Sequence, residues 1–320
     1  MEYSIQAGGT TAFVQAHGAM VTAEFTVNGH TVRPLYQAPW SDYAHDPLLA
    51  HLRGDFPCVP FGIAPSSTVS FPPPWNLLDP GTTAYAHGYS SVGLWDEIEE
   101  GTFHLQYPEE DTVESITRTV APTGGRIDIK DRIHMRREAN LPLGLHPIVR
   151  LPEKPGAARL NLPPMRSART YPVQPEETSV LVPDTRLIAL DQAPMLDGGS
   201  LDLTRLPLRQ HTEELVGLFD VTKPVVSLDN LDEGYRVTIE WDNTYLKHCM
   251  LWISNYGRGY EPWNGRNLCL GIEPITSAFD LGQAISATSN PLSAEGLQTS
   301  VPLAGGMSYT LKHSISVEEL

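Results

Sequence analysis

Arg126-Ile127-Asp128-Ile129-Lys130-Asp131-Arg132-Ile133 alternates charged and apolar side chains almost without a break. Successive side chains of an extended chain point to opposite faces, so this pattern predicts a strand with one face in a core and the other in water. Tyr235-Arg236-Val237-Thr238-Ile239-Glu240-Trp241 repeats it, as does Tyr309–Val317 near the C-terminus, and Val21–Val27 follows it for part of its length. Turn clusters separate such runs at Asn28-Gly29, Thr123-Gly124-Gly125, Asp197-Gly198-Gly199 and Ala304-Gly305-Gly306. Helical periodicity is scarce, and Leu215-Val216-Gly217-Leu218-Phe219 suits a short helix as well as a strand. Many short half-buried strands with frequent turns predict an all-β fold, a large antiparallel β-sandwich with few short helices. No internal repeat is evident, which argues against a propeller or solenoid.

The 320 residues can bury a sizeable core, and the reading adopted is one sandwich domain over residues 1–320. The proline-rich and polar stretch from Glu153 to Val182 is read as loops and edge strands of that domain, not as a linker. Phe71-Pro72-Pro73-Pro74-Trp75 lacks amide donors and is read as a rigid surface loop at the rim of a cleft. The net charge of −16 argues against a nucleic-acid partner, which needs cationic contacts to phosphate. No apolar run approaches the length of a membrane helix, and Met1-Glu2-Tyr3-Ser4-Ile5-Gln6 lacks the basic and apolar segments of a secretory signal. Cys58, Cys249 and Cys269 are an odd set without CxxC spacing, expected as buried thiols in a reducing, cytoplasmic setting. No HExxH or paired-histidine motif occurs, so no metal and no cofactor is expected.

Two stretches carry titratable groups in apolar surroundings. Leu268-Cys269-Leu270-Gly271-Ile272-Glu273-Pro274 reads as a buried strand stopped by its proline, with one carboxylate near its end. Glutamate is rarely buried without a partner, so Glu273 is a satisfied structural acid or a base held for work. Leu143-Gly144-Leu145-His146-Pro147 sets a histidine in the same context, where a lone histidine is more often a core residue than a catalyst. His87, in Ala86-His87-Gly88-Tyr89, and Arg53, in Leu52-Arg53-Gly54-Asp55-Phe56-Pro57, extend the pattern. Taken alone, His87 would cap a turn and Arg53 would form a surface ion pair with Asp55, an arrangement worth little.

In chain order these segments resemble the aldose 1-epimerase, or galactose mutarotase-like, family. Gly18–His30 is similar to the family's opening hairpin, and Leu52–Gly62 to its arginine-bearing segment. Ala86–Tyr89 followed by Trp95 is similar to its HGF…W element, and Asn140–Pro147 to its G-HP element. Leu268–Thr276, with the Gly305-Gly306 turn and terminal strand, is similar to its EP-T ending. The resemblance implies a mutarotase that interconverts the α and β anomers of a free hexose, with Glu273 as general base and His146 as general acid. Arg53 and His87 would bind sugar oxygens, and Trp263 would stack on a sugar face or pack a loop. The partner is then a small-molecule sugar; oligomeric state is not readable. The alternatives are a non-catalytic carbohydrate-binding or regulatory protein on this fold, and an epimerase of a hexose 6-phosphate. A glycosidase, which needs a second carboxylate across the bond, is disfavoured because Glu273 alone stands out.

The chain departs from the family at several points. Ile148-Val149 follow His-Pro where an aromatic is common, and serines follow His87-Gly88-Tyr89 where the sugar-phosphate branch often has arginine. The family's further sugar-binding aspartate has no assignable counterpart in the sequence; Asp184 and Asp280 are candidates, and neither is supported by its surroundings. A phosphate site would have to recruit Arg132, Arg136, Arg137 or Arg150, which strand alternation places on a solvated face; a neutral aldose is the expected substrate.

Overall fold

A computed structural model describes residues 1–40, 43, 45–63, 71–75 and 85–320. Two large antiparallel sheets dominate. The nine-stranded sheet runs, in spatial order, Arg205–Leu206, Ala158–Asn161, Val225–Asn230, Tyr235–Trp241, Ser308–Glu319, Arg126–Met135, Val113–Thr123, Thr102–Gln106 and Asp96–Glu99. The eight-stranded sheet runs Arg186–Leu187, Met165–Thr170, Thr212–Val221, His248–Asn255, Leu268–Thr276, Leu143–Leu145 and Pro57–Cys58, with Ile148–Arg150 also paired to Leu268–Thr276. An N-terminal meander of four strands covers residues 2–32. The helices among the described residues are single turns, such as Pro47–His51. The expected sandwich is therefore the observed architecture.

The alternating runs do as their chemistry requires. Ile127, Ile129 and Ile133 pack into one core with Val237, Ile239 and Ile315 of the same sheet and with Val216, Leu218, Leu251, Ile253, Leu270 and Ile272 of the other. The ambiguous Leu215–Phe219 stretch is strand. It carries apolar residues on both faces because the eight-stranded sheet is buried twice. Its second face meets a separate cluster of Leu215, Phe219, Met250, Trp252, Trp263, Cys269 and Ile275. Cys58, Cys249 and Cys269 are buried free thiols.

Two expectations need correction. The strand does not stop at Pro274 but continues to Thr276, with Pro274 opposite Cys249. On its other side the pairing is interrupted at His146-Pro147, so the ladder is open where Pro274 lacks an amide. The Phe71–Trp75 segment is no strand, but it is not merely superficial. Trp75 is buried and packs edge-on against Phe279.

Candidate active site

The register of the eight-stranded sheet brings His146 and Glu273 together. Leu143 pairs with Thr276 and Gly144 with Ile275, while Ile148 pairs with Gly271 and Val149 with Leu270. The same register carried across the interruption sets His146 directly opposite Glu273, where side chains on one face of neighbouring strands meet. His146 Nε2 lies 3.4 Å from Glu273 Oε1. Both face a cavity of about 290 Å³ on the second, non-core face of the sheet, with Met250, Trp252 and Leu215 beside them. Gly271, two residues before Glu273 and so on the same face, is a requirement of that geometry. A Cβ there would sit 2.4 Å from Glu273 Oε1, too close for any carbon.

His146 is held on several sides. Its amide donates to the Phe56 carbonyl at 2.9 Å. Its ring stacks on Phe56 with centroids 4.7 Å apart and meets Trp252 edge-on at 5.8 Å. Glu273 has no exposed surface, and neither carboxylate oxygen accepts a hydrogen bond from a described residue. Burial, with the nearby charge of Asp280 added, pushes its carboxyl well above the usual carboxylate range. Burial pushes the His146 imidazole well below its ordinary value, helped by the neighbouring His87.

His87 joins the same group. Its ring is edge-on to His146 at 5.0 Å and tilted against Phe61 at 4.9 Å. Its backbone is left-handed, with φ of +59°, an uncommon state for a non-glycine residue and one that concentrates at functional sites. Dry surroundings push its imidazole down to about 4. Trp263 also lines the cavity, but one face of its indole is covered by the Arg258 guanidinium at 4.6 Å.

Arg53 does not reach the cavity. Its Nη1 pairs with Glu2 of the N-terminal meander at 3.3 Å, and its Nε donates to the His51 carbonyl. The chain turns at Gly54 (φ +51°), whose backbone lies so close to Val21 that a Cβ would be 1.7 Å from the Val21 carbonyl oxygen. That turn sends Arg53 towards the meander, and Phe56, not Arg53, lines the cavity. The expected surface pair with Asp55 is absent too: Asp55 is buried on Arg118 and His313. Of the two aspartates, Asp280 lines the cavity, turned towards it by left-handed Phe279 (φ +51°), whereas Asp184 pairs with Arg169 at 2.8 Å.

The remaining arginines named from the sequence lie away from the cavity. Arg136 and Arg137 donate to backbone carbonyls between Pro108 and Val113, Arg150 pairs with Glu233 at 2.8 Å, and Arg132 is exposed. The sequence reading missed the cavity wall formed by Trp252, Arg258 and Tyr260, and the Glu213 carboxylate behind it. A signal was present in Tyr256-Gly257-Arg258-Gly259-Tyr260, an arginine between glycines and aromatics. Among the described residues no group of three or more His, Cys, Asp or Glu side chains is arranged to hold a metal ion, and no helix is long and apolar enough to cross a membrane.

No protein-family model and no curated protein sequence matches the chain. Solved structures do. A candidate aldose 1-epimerase from Escherichia coli K12 superposes with a TM-score of 0.66 at 17% identity, covering 100% of this chain and 99% of its own. The GalM/aldose epimerase homologue from C. elegans gives 0.65 at 14% identity, covering 100% and 99%. A galactose mutarotase related enzyme from Lactobacillus acidophilus gives 0.61 at 14% identity, covering 100% and 98%. Identities this low speak to the path of the chain, and that path is shared from end to end. The protein has the galactose mutarotase-like fold.

Proposed function

We propose that this protein is an isomerase of the aldose 1-epimerase type, a mutarotase that interconverts the α and β anomers of a free aldose, with residues 1–320 acting as one domain. The observation that carries the reading is the His146–Glu273 pair: acid and base 3.4 Å apart, on a cavity, with neither carboxylate oxygen claimed by a described donor. A cavity of about 290 Å³ is at the small end for ligand sites and suits a monosaccharide.

The chemistry follows from the proton inventory. Hydroxyls of the bound sugar donate to Glu273 and stabilise its carboxylate, leaving the shared proton on His146. Glu273 then takes the proton of the anomeric hydroxyl while His146 Nε2–H protonates the ring oxygen. The bond from the anomeric carbon to the ring oxygen breaks and the carbonyl forms. Rotation about the adjacent carbon–carbon bond presents the other carbonyl face, and the same transfers in reverse close the ring. After opening, Glu273 is a neutral acid and His146 a neutral imidazole. Burial favours that protonation state, so the dry site favours the open-chain stage over the resting ring. Each transfer contributes about 10²–10⁴-fold.

Charge around the cavity supports a neutral sugar over a sugar phosphate. Glu273, Asp280 and Asp46 line it, and its guanidinium, Arg258, already faces Glu213 and Glu176. Polarimetry on freshly dissolved glucose and galactose tests the function. The protein should speed the approach to anomeric equilibrium, and a panel of aldoses that all equilibrate at the buffer rate would leave the binding-protein alternative in possession.

A further inference from the structure

We infer that Arg258 is a specificity-determining residue of this cavity, donating its terminal N–H groups to hydroxyl oxygens of an uncharged sugar. The inference rests on the mutarotase reading above and adds a residue to it. The guanidinium is held at one edge by charge and on one face by an indole, with no hydrogen bond from its buried Nε. Its Nε lies 3.0 Å from Glu213 Oε1 and 3.2 Å from Glu176 Oε1. Its plane lies over Trp263 at 4.6 Å and near Trp252 at 5.6 Å.

Glu213 is itself immobilised. It has no exposed surface and accepts from Trp252 Nε1 at 2.6 Å and from Ser254 Oγ at 2.8 Å. Behind Ser254, Asn267 donates to its hydroxyl at 2.6 Å and accepts in turn from the Tyr36 hydroxyl. A chain of buried polar groups therefore ends on one arginine.

What that chain leaves free is the far edge of the guanidinium. Neither terminal amino group donates to a described residue, the side chain keeps 21% of its surface, and it lines the cavity. Two coplanar N–H donors match neighbouring hydroxyl oxygens on a sugar ring as well as they match an oxyanion. Charge decides between those two. Glu213 and Glu176 already oppose the Arg258 charge, and Asp280 and Glu273 beside it are acids, so the described lining offers an anion no surplus positive charge. Trp252 touches both His146 and Arg258, which spaces the donors from the reacting pair by one indole. Arg258 can thus grip the sugar away from the anomeric carbon.

Removing Arg258 alone would strand Glu213, so two variants are needed: Arg258→Lys, which keeps the charge, and the double variant Arg258→Met/Glu213→Gln, which removes both charges. Mutarotation kinetics are measured with D-glucose, D-galactose and their monodeoxy analogues. In both variants KM should rise about tenfold, the worth of a lost hydrogen bond to a hydroxyl, with kcat nearly unchanged. One deoxy analogue that is already poor for the wild type should lose nothing further, because its hydroxyl is the one Arg258 reads. An unchanged KM, or an equal loss across all analogues, overturns the inference while the mutarotase reading stands. A wild-type protein inert towards every sugar overturns both.

Discussion

Among the described residues, two buried histidine–carboxylate pairs are of opposite character. His146 and Glu273 are 3.4 Å apart at the cavity; His313 and Asp55 are 3.0 Å apart between the nine-stranded sheet and the Gly54 turn. The difference is a cation. Arg118, fully buried, donates to Asp55 and lies 3.6 Å from Asp131. With His313 and Arg118 against it, the Asp55 carboxyl is held down at about 2 although burial works the other way. Glu273 has Asp280 as its charged neighbour where Asp55 has Arg118, and it moves up. One carboxyl is therefore held in its ionised form, and the other is pushed towards its protonated form. The structural pair is also linked to the cavity pair, because Asp55 leads into Phe56, whose carbonyl and ring hold His146.

The largest expected difference between the pairs is in activity. Glu273→Gln should cost about 10²–10⁴-fold in mutarotation, and adding His146→Asn should make it scarcely worse, since the two act as one unit. The same substitution should hold or raise stability at neutral pH. A carboxyl raised in the folded state loses stability as pH climbs above its unfolded value, and glutamine removes that loss.

Asp55→Asn should do the reverse, leaving Arg118 with only Asp131 at 3.6 Å, at a cost of about 3 kcal/mol by denaturant titration, while the protein that remains folded stays active. It should also alter acid unfolding. A folded carboxyl lowered from 3.8 to about 2 adds about 2 kcal/mol above pH 4 that disappears as pH falls through 2. Asp131, pushed up by burial and by the charge of Asp55, contributes with the opposite sign, so Asp55→Asn changes both contributions to the acid limb. An unaltered acid limb would break the contrast on the structural side.

The smallest effect belongs to a pair with neither property. Arg150–Glu233 is partly exposed at 2.8 Å, and Arg150→Ala should change stability by less than about 1 kcal/mol and leave KM for a neutral sugar alone. A large KM change would mean that this face touches substrate after all.

Much of this contrast was legible in the sequence, unevenly. Period-two alternation reports which side of a strand meets oil, so the strands at Arg126–Met135 and Tyr235–Trp241 could be read directly. The same alternation contains the structural cluster: Asp131 stands at an inward position between Ile129 and Ile133, and Arg118 and His313 are inward on the two strands that flank it. Charges at core positions are a signal for buried pairing that reading for isoleucines passes over. His146 and Glu273 could be paired from the motifs, because matching prolines mark the interrupted ladder between them. Arg53 was misjudged because its direction depends on the Gly54 turn against Val21, a long-range contact that no local pattern encodes. Arg258 did carry a local signal, an arginine between glycines and aromatics, but its place on the wall is fixed by Glu213 and Glu176 from distant segments.

Neighbouring cations, and not burial alone, decide which of the two buried carboxyls is held down and which is pushed up. Carboxyl ¹³C NMR titration of the protein labelled at its Glu and Asp side chains tests this most directly, with Glu273→Gln and Asp55→Asn providing the assignments. The Glu273 signal should titrate well above 4.5 and move when sugar is added, while the Asp55 signal stays ionised down to about pH 2. A Glu273 carboxyl already fully ionised at pH 5, or an Asp55 that titrates alongside it, would contradict the account.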